Sequence, residues 1–323
     1  MRRLLAGFAF AVLAVSPSRR LAAQSDLGLP AHHQSNLMAV ARSPLYFQPW
    51  VPASDHPRFT VALDYANIYE LTDGNFGGAY VQDLEVGTLR FTGQRDLSPE
   101  LFLTADLPLN VAWEGGLDGF LGWWHDLLGI EIPARDLRPH NDWAYGALLA
   151  DGGSFSHDPA LFLGDLSVGL GWRLTPHAQL LGTLTLPTTT RQGYGRRVVT
   201  AGTMLTLWTD LDPRLRAEAS AGIGFAPRSG GAMQTYERTM FGSAGGGLRW
   251  RFYKGASMYG TIWLHSPYYE GSGFHSLDRN DVAFDFGWII RTKKGAEWRF
   301  GMTEDPQPSG PGVDAIFKVS RSW

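Results

Sequence analysis

The chain has 323 residues, of which only 18% are charged, against roughly 25% in an ordinary soluble domain; that deficit is expected of a surface that does not all face water. A formal net charge of −3 supplies no basic face for nucleic acid. The absence of cysteine excludes disulfides, thiolate metal sites, cysteine nucleophiles and a lipidated cysteine anchor.

Met1-Arg2-Arg3 followed by the apolar run Leu4 to Val15 reads as an export signal, because the run is shorter than the roughly 20 residues a membrane-spanning helix needs. Residues 1–23 are expected to be the signal peptide, with cleavage near Ala23. No later stretch has 18 consecutive apolar residues, so no helical span is predicted. Residues 24–57 carry Pro30, Pro44, Pro49, Pro52 and Pro57, a spacing that blocks both helix and central strand. They are predicted to form a Pro-rich periplasmic segment placed to enter a lumen as a plug.

From Arg58 the pattern has period two. Phe59, Val61, Leu63 and Tyr65 alternate with Thr60, Ala62, Asp64 and Ala66, and Leu101 to Trp113 sets Leu101, Leu103, Leu107 and Val111 against Thr104, Asp106 and Asn110. The same alternation over 80–93, 162–174, 178–186, 198–209, 215–225, 238–252, 258–264, 282–290, 298–302 and 313–323 predicts about 12 strands. Short connections alternate with long ones, and the strand number is even, as in outer-membrane barrels with short periplasmic turns and longer outer loops. Residues 58–323 are therefore predicted to form an all-β, antiparallel transmembrane β-barrel in the bacterial outer membrane. A soluble sandwich would use the same apolar face as its core, and the last strand weighs against it. Phe317, Val319 and Trp323 share one face and end the chain on an aromatic, resembling the C-terminal signal read by the outer-membrane assembly machinery, with Arg321 departing from that pattern. Trp172, Trp208, Trp250, Trp263 and Trp298, near strand ends, suit interfacial girdles.

The longest loop, 114–159, holds one short amphipathic helix. Leu117, Phe120, Leu121, Trp124, Leu127 and Leu128 fall opposite Asp118, Gly122 and His125, and that apolar face is expected to bury in the barrel mouth, on the rim or at the membrane surface. Trp124, His125 and Asp126 are the candidates on this helix, and Trp143 to Leu149 reads as a further strand above the membrane.

Candidates for chemistry are weak by spacing. His125-Asp126, His140-Asn141-Asp142, and Ser154 or Ser156 beside His157-Asp158 offer bases and nucleophiles without a spacing that forces them together. His32-His33 lacks the further ligands of a metal site. No catalytic residue, metal or cofactor is assigned. The inward face is richer: Asp165, Arg173, Arg249, Arg251, Asp285, Arg291 and Arg299 are predicted to project into the lumen, either as paired charges that fill it or as a constriction. Gly245, Gly246 and Gly247 beside them would leave room for a plug or ligand.

Gly28-Leu29-Pro30, Asn36-Leu37, Pro44-Leu45, the run Asp118-Gly119-Phe120 to His125-Asp126-Leu127-Leu128-Gly129, and Gly164-Asp165-Leu166 resemble the domain-of-unknown-function family numbered 3187. That resemblance implies an outer-membrane barrel without an assigned activity, and brings no catalytic residues. Leu186-Pro187-Thr188 is similar to a strand-end pattern of outer-membrane channels for hydrophobic compounds. The expected function is a small gated or plugged channel for a small apolar or anionic solute, in contact with outer-membrane lipid. The alternatives are a non-conducting structural or binding barrel, and a membrane hydrolase working through His125 or His157.

Overall fold

The computed structural model describes residues 28–33, 36–73, 78–129, 137–306 and 315–323; the expected signal peptide lies outside them. In chain order the elements are α1 (Leu37–Val40), β1 (Arg58–Asp73), β2 (Ala79–Asp96), β3 (Leu101–Trp113), α2 (Asp118–Leu128), β4 (Ala144–Leu148), β5 (Ser154–Ser156), β6 (Ala160–Leu163), β7 (Leu166–Thr175), β8 (Ala178–Leu186), β9 (Thr200–Asp212), β10 (Leu215–Phe225), β11 (Met240–Tyr253), β12 (Ala256–His265), β13 (Asp281–Arg291), β14 (Glu297–Glu304) and β15 (Ala315–Ser322). Neighbouring strands pair antiparallel, and β15 returns to β1 with Ser322 opposite Thr60 and Ala315 opposite Asn67. The sheet closes as a barrel of 12 staves, β6 and β7 together forming one of them. Pairing of β15 with β1 joins the two edges of the wall, which strands in hydrocarbon cannot leave open.

Period two survives in the wall because its two faces meet different surroundings. Phe59, Leu63, Phe91, Leu103, Leu170, Leu184, Ile262, Phe284 and Trp288 are exposed on the outside, while Asp64, Gln179, Thr206, Glu218, Thr261 and Asp285 are buried inside. Trp172 and Trp250 face outward, as expected of girdle residues. Trp208 and Trp263 do not: both are buried in the interior, against Trp50 and His32 respectively. Period two alone predicts the face of a tryptophan only when its register is known. Arg321, which breaks the apolar pattern of the last strand, lies over the rings of Trp298 and Trp323, at 5.2 and 4.7 Å. That contact suits a cation held at an aromatic interface.

The fourth stave was expected to run unbroken from 162 to 174, but it divides at Gly164-Asp165. The cause is Pro108 on the facing strand: it has no N–H to give the ladder. Below it β3 pairs with β7, Asp106 opposite Ser167; above it β3 pairs with β6, Leu109 opposite Leu163. Gly164 crosses beside the proline ring, where a Cβ would stand 2.7 Å from Pro108 Cγ, so only glycine fits. The extra residue at the break turns Asp165 inward.

β1 and β2 have 16 and 18 residues, beyond the roughly 9–11 that a tilted strand needs to cross a bilayer. Their excess stands above the membrane at the loop end, where Ala79–Asp83 of β2 pairs with β4, and β4 with β5. This β4 is the strand expected between Trp143 and Leu149.

α2 forms where expected, and its apolar face is divided: Leu121 is buried, Leu117 and Trp124 are half-buried, and Phe120 and Leu127 are exposed. Glu85 accepts from the Gly116 and Leu117 N–H groups at 2.8 and 2.6 Å, tying the helix entry to the wall. Asp118 accepts from Asn67 Nδ2 at 2.9 Å, and Asp118, Leu121 and His125 are buried, while Phe120, Trp123 and Leu127 are exposed. The Phe120 ring lies tilted against Phe317, 6.0 Å between centroids, on the outer surface of β15, and Trp124 Nε1 donates to Glu304 at 3.3 Å. The helix therefore lies outside the barrel with Asp118, Leu121 and His125 towards the protein. On a membrane protein the apolar face has a second apolar environment available, the bilayer itself.

Residues 28–33 and 36–52 run inside the barrel. Glu218 holds the two ends of this hairpin together near the turn end, accepting from Leu29 N at 3.1 Å and Trp50 N at 3.0 Å, and Arg299 donates to Gly28 O at 2.9 Å. A single bridge joins His32 and Phe47. Towards the loop end Asn36 caps α1 and meets Glu70 and Gln82. On the way back Arg42 donates to the carbonyls of Ala226, Pro227 and Arg238 and pairs with Glu237 at 3.4 Å. Arg173 grips the exit through Val51 O and Pro52 O, both at 3.0 Å, while also reaching Pro99 O and Asp96. Because proline-rich backbone lacks donors and makes no ladder of its own, its carbonyls are satisfied by side chains of the wall. Small residues admit it: a Cβ on Gly224 would be 2.8 Å from Pro44 Cγ, and one on Gly245 would be 3.0 Å from Phe47.

Candidate functional site

The threaded hairpin occupies the side of the lumen towards β9–β12. Opposite it, along β1, β2, β3, β7 and β8, a slot remains. Its loop-end chamber has a volume of about 90 Å³ and its turn-end chamber about 170 Å³. Both chambers are lined by His33, Tyr46, Arg90, Asp106 and Ser167, which mark the waist between them.

Two pairs build that waist. Arg90 Nη1 and Asp106 Oδ1 meet at 2.5 Å, with Thr92 donating to the other carboxylate oxygen at 2.8 Å. Register makes this pair: Thr92 stands directly opposite Asp106, and Arg90 opposite Pro108, so Arg90 reaches Asp106 on the diagonal. From the threaded hairpin the His33 and Tyr46 rings stack at 4.7 Å with 22° between planes. The loop-end chamber is bounded by Arg196, Asp165, Tyr194 and Phe162. Asp165 accepts from Thr189 N at 3.0 Å and pairs with Arg196 at 3.6 Å. Burial lowers the Arg196 pKa to about 10, opposed by Asp165, so its guanidinium stays charged at neutral pH. The turn-end chamber is bordered by Asp64, Lys318, Arg299, Tyr259 and the hydroxyls of Thr60, Thr92, Thr104, Ser320 and Ser322.

Of the residues singled out from sequence, Asp285 pairs with Lys318 at 2.9 Å and accepts from Tyr259 at 3.2 Å. Arg249 and Arg299 converge on Glu297, at 3.8 and 2.8 Å. Arg173 and Arg299 hold the threaded backbone, and Asp165 shapes the loop-end chamber. Arg251 is exposed at the turn end and donates to Pro213 O; it shares the inward parity of Arg249 but lies past the enclosed interior. Arg291 is half-buried at the same end. These residues do not form one ring. The waist residues Arg90, Asp106, His33 and Tyr46, together with Asp64, Lys318 and Glu218, were not among the site candidates. Asp64 and Asp106 stood in plain view as polar members of alternating strands.

In the outer loops His125 is buried under α2 and Asp126 is exposed. His157 sits in an aromatic group with Tyr145, Phe155 and Tyr194, at 5.0, 5.5 and 5.6 Å, and Ser154 and Ser156 are exposed. His32 and His33 diverge, one towards Trp263 and Lys318, the other onto Tyr46. Among the described residues no group of three or more His, Asp or Glu side chains converges as a metal site.

A closed barrel with an apolar exterior and a polar, charge-paired interior is a bacterial outer-membrane β-barrel. Residues 9–307 match the family described as "Protein of unknown function (DUF3187)", and the chain belongs to that family. Similar solved structures include the COG4313 outer membrane channel from Pseudomonas putida F1, at 13% identity and a TM-score of 0.52 over 84% of this chain and 99% of that one. The NanC porin is similar at 7% identity and a TM-score of 0.47, over 82% of this chain and 98% of that one. The toluene transporter TodX of P. putida is similar at 10% identity and 0.45, over 84% and 90%. At these identities the likeness is one of fold. None of the curated proteins compared matches the chain.

Proposed function

We propose that this protein is a narrow outer-membrane channel for a small solute, kept mostly closed by its own N-terminal hairpin acting as a plug. The observation that carries the reading is the slot. The hairpin leaves two chambers in line along one wall, joined at a waist made of an ion pair on one side and a stacked aromatic pair on the other. Passage needs the waist to widen, which a small displacement of the hairpin accomplishes, since His33 and Tyr46 belong to it and Arg90 and Asp106 to the wall. The slot is lined on the wall side by hydroxyls and paired charges, so polar contact with the solute replaces the apolar or anionic preference expected from sequence. Phe317, Val319 and Trp323 serve as the outward face read by the assembly machinery.

The fastening of the hairpin at Arg173, Glu218, Arg299 and Arg42 favours a second reading, a barrel that binds without conducting. Planar-bilayer recordings decide between them. Wild-type protein should give small, infrequent openings, and Glu218→Gln, which weakens the clasp of both hairpin ends, should raise the open fraction. Silence in both, with folded protein verified by a heat-modifiable gel band, would reject the channel.

A further inference from the structure

The turn-end chamber contains one acid that the fold leaves unsatisfied. Asp64 exposes only 9% of its surface and lines the chamber, yet its carboxylate has no hydrogen bond or ion pair with any described residue. Its neighbours are all engaged: Asp106 by Arg90 and Thr92, Asp285 by Lys318 and Tyr259, Glu297 by Arg299 and Arg249, Glu218 by two backbone N–H groups. Lys318 and Arg90 act on Asp64 electrostatically without bonding to it, and its oxygens stay open to the chamber, so its donors come from the contents of the chamber, water or solute. Nearby, the Tyr46 hydroxyl likewise bonds to no described residue, and the stacked face it forms with His33 is one flank of the space.

We propose that this chamber binds a small, neutral, polyhydroxylated ring the size of a monosaccharide, with Asp64 as its principal acceptor. The inference rests on the reading that solutes enter the lumen. Three features select the ligand class. Thr60, Thr104 and Ser320 offer hydroxyls that both donate and accept, and Thr92, whose proton goes to Asp106, offers an acceptor, matching a guest that does both. Pro30, Pro49, Trp50 and the Tyr46 ring supply apolar surface on the hairpin side, the usual mixture for holding a ring with one face and orienting its polar edge. The charges in and directly behind the lining nearly balance, with Arg90, Lys318 and Arg299 set against Asp64, Asp106, Asp285 and Glu297. An anion would therefore meet Asp64 unfavourably, and a hydrocarbon would leave it without a donor.

The test is saturation-transfer NMR on the full-length barrel in nanodiscs, with myo-inositol, glucuronate and cyclohexanol as probes. Binding of inositol, with glucuronate and cyclohexanol much weaker, is expected, and Asp64→Asn should weaken inositol about tenfold. Tyr46→Phe, which removes only the free hydroxyl, should weaken it by a few-fold and serves if the Asp64 variant does not fold. Inositol binding equal in wild type and both variants, or glucuronate or cyclohexanol bound as tightly, would overturn the proposal. Inositol entry into proteoliposomes is read separately. Entry without Asp64-dependent binding defeats this inference and leaves the channel standing; Asp64-dependent binding without entry supports the site and defeats the channel.

Discussion

Arg90 on β2 and Asp106 on β3 close the wall side of the slot by meeting on the diagonal of an antiparallel pair, 2.5 Å apart and each mostly shielded from solvent. Neither residue touches the opposite flank with a bond, so the waist has one fixed jaw and one carried by the hairpin. Removing a single member of the pair unbalances the charge at the narrowest point. Arg90→Ala should make residual conductance more cation-selective, and Asp106→Ala more anion-selective, seen as opposite shifts in reversal potential under a salt gradient. Each should also cost about 1–3 kcal/mol of stability, less than a fully dry pair because some solvent reaches both.

Arg173 offers a test of how the hairpin is fastened. Its guanidinium holds Val51 O, Pro52 O, Pro99 O and Asp96, and lies 4.6 Å over the Phe102 ring. Arg173→Ala should cost about 2–4 kcal/mol at this end and expose residues 52–57 to protease from the turn side. Unchanged cleavage kinetics in reconstituted vesicles would show that the clasp at Glu218 and Arg299 suffices alone.

Gly224 tests the same hairpin from the opposite side. A larger side chain there collides with Pro44 and Leu45. Gly224→Val should leave the heat-modifiable band intact while raising the open fraction in bilayers, since the wall can stay closed when the hairpin is displaced. Loss of the band would instead mean that barrel and hairpin fold as one unit.

His157 makes the outer hairpin pH-sensitive. Burial lowers its pKa, with Arg197 and Arg191 adding to the shift, so the folded loop prefers the neutral ring. The unfolded loop then binds the proton more tightly. The stability contributed is fully present above the unfolded pKa of about 6.5 and declines as pH falls through it. Hydrogen-exchange protection in β4 and β5, taken relative to the intrinsic rate at each pH, should fall between neutral pH and about pH 5.5, modestly because the ring is half-buried. His157→Phe should remove that fall in protection.

The wall strands were legible because lipid and lumen impose opposite demands on alternate residues, a signal that is local. The break at Gly164 was not, because its cause, Pro108, is distant in sequence. The α2 helix shows a different limit: its stripe of Phe120, Leu121 and Leu127 identified a helix, but not whether protein or bilayer would meet it. Trp208 and Trp263 were assigned to the girdles from their places near strand ends, whereas each faces inward and packs against the threaded chain, at Trp50 and His32. Asp64, Arg90 and Asp106 lay on strands already identified as polar-faced. Their separate fates, one acid unpartnered and the other paired, depend on cross-strand register and on where the hairpin runs.

The clasp at Glu218 carries a consequence for biogenesis. Leu29 and Trp50 find their shared partner 189 and 168 residues later in the chain, and Gly28 meets Arg299 271 residues later. Contacts so distant form slowly because long loops must close first. Gly28, Leu29 and Trp50 thus wait for the second half of the barrel, whereas Asn36 finds Glu70 and Gln82 within a few tens of residues. Until β10 and β14 exist, the clasp of the hairpin ends is missing, and the apolar residues beside it, Leu29 and Phe47, must be shielded by something other than the finished barrel.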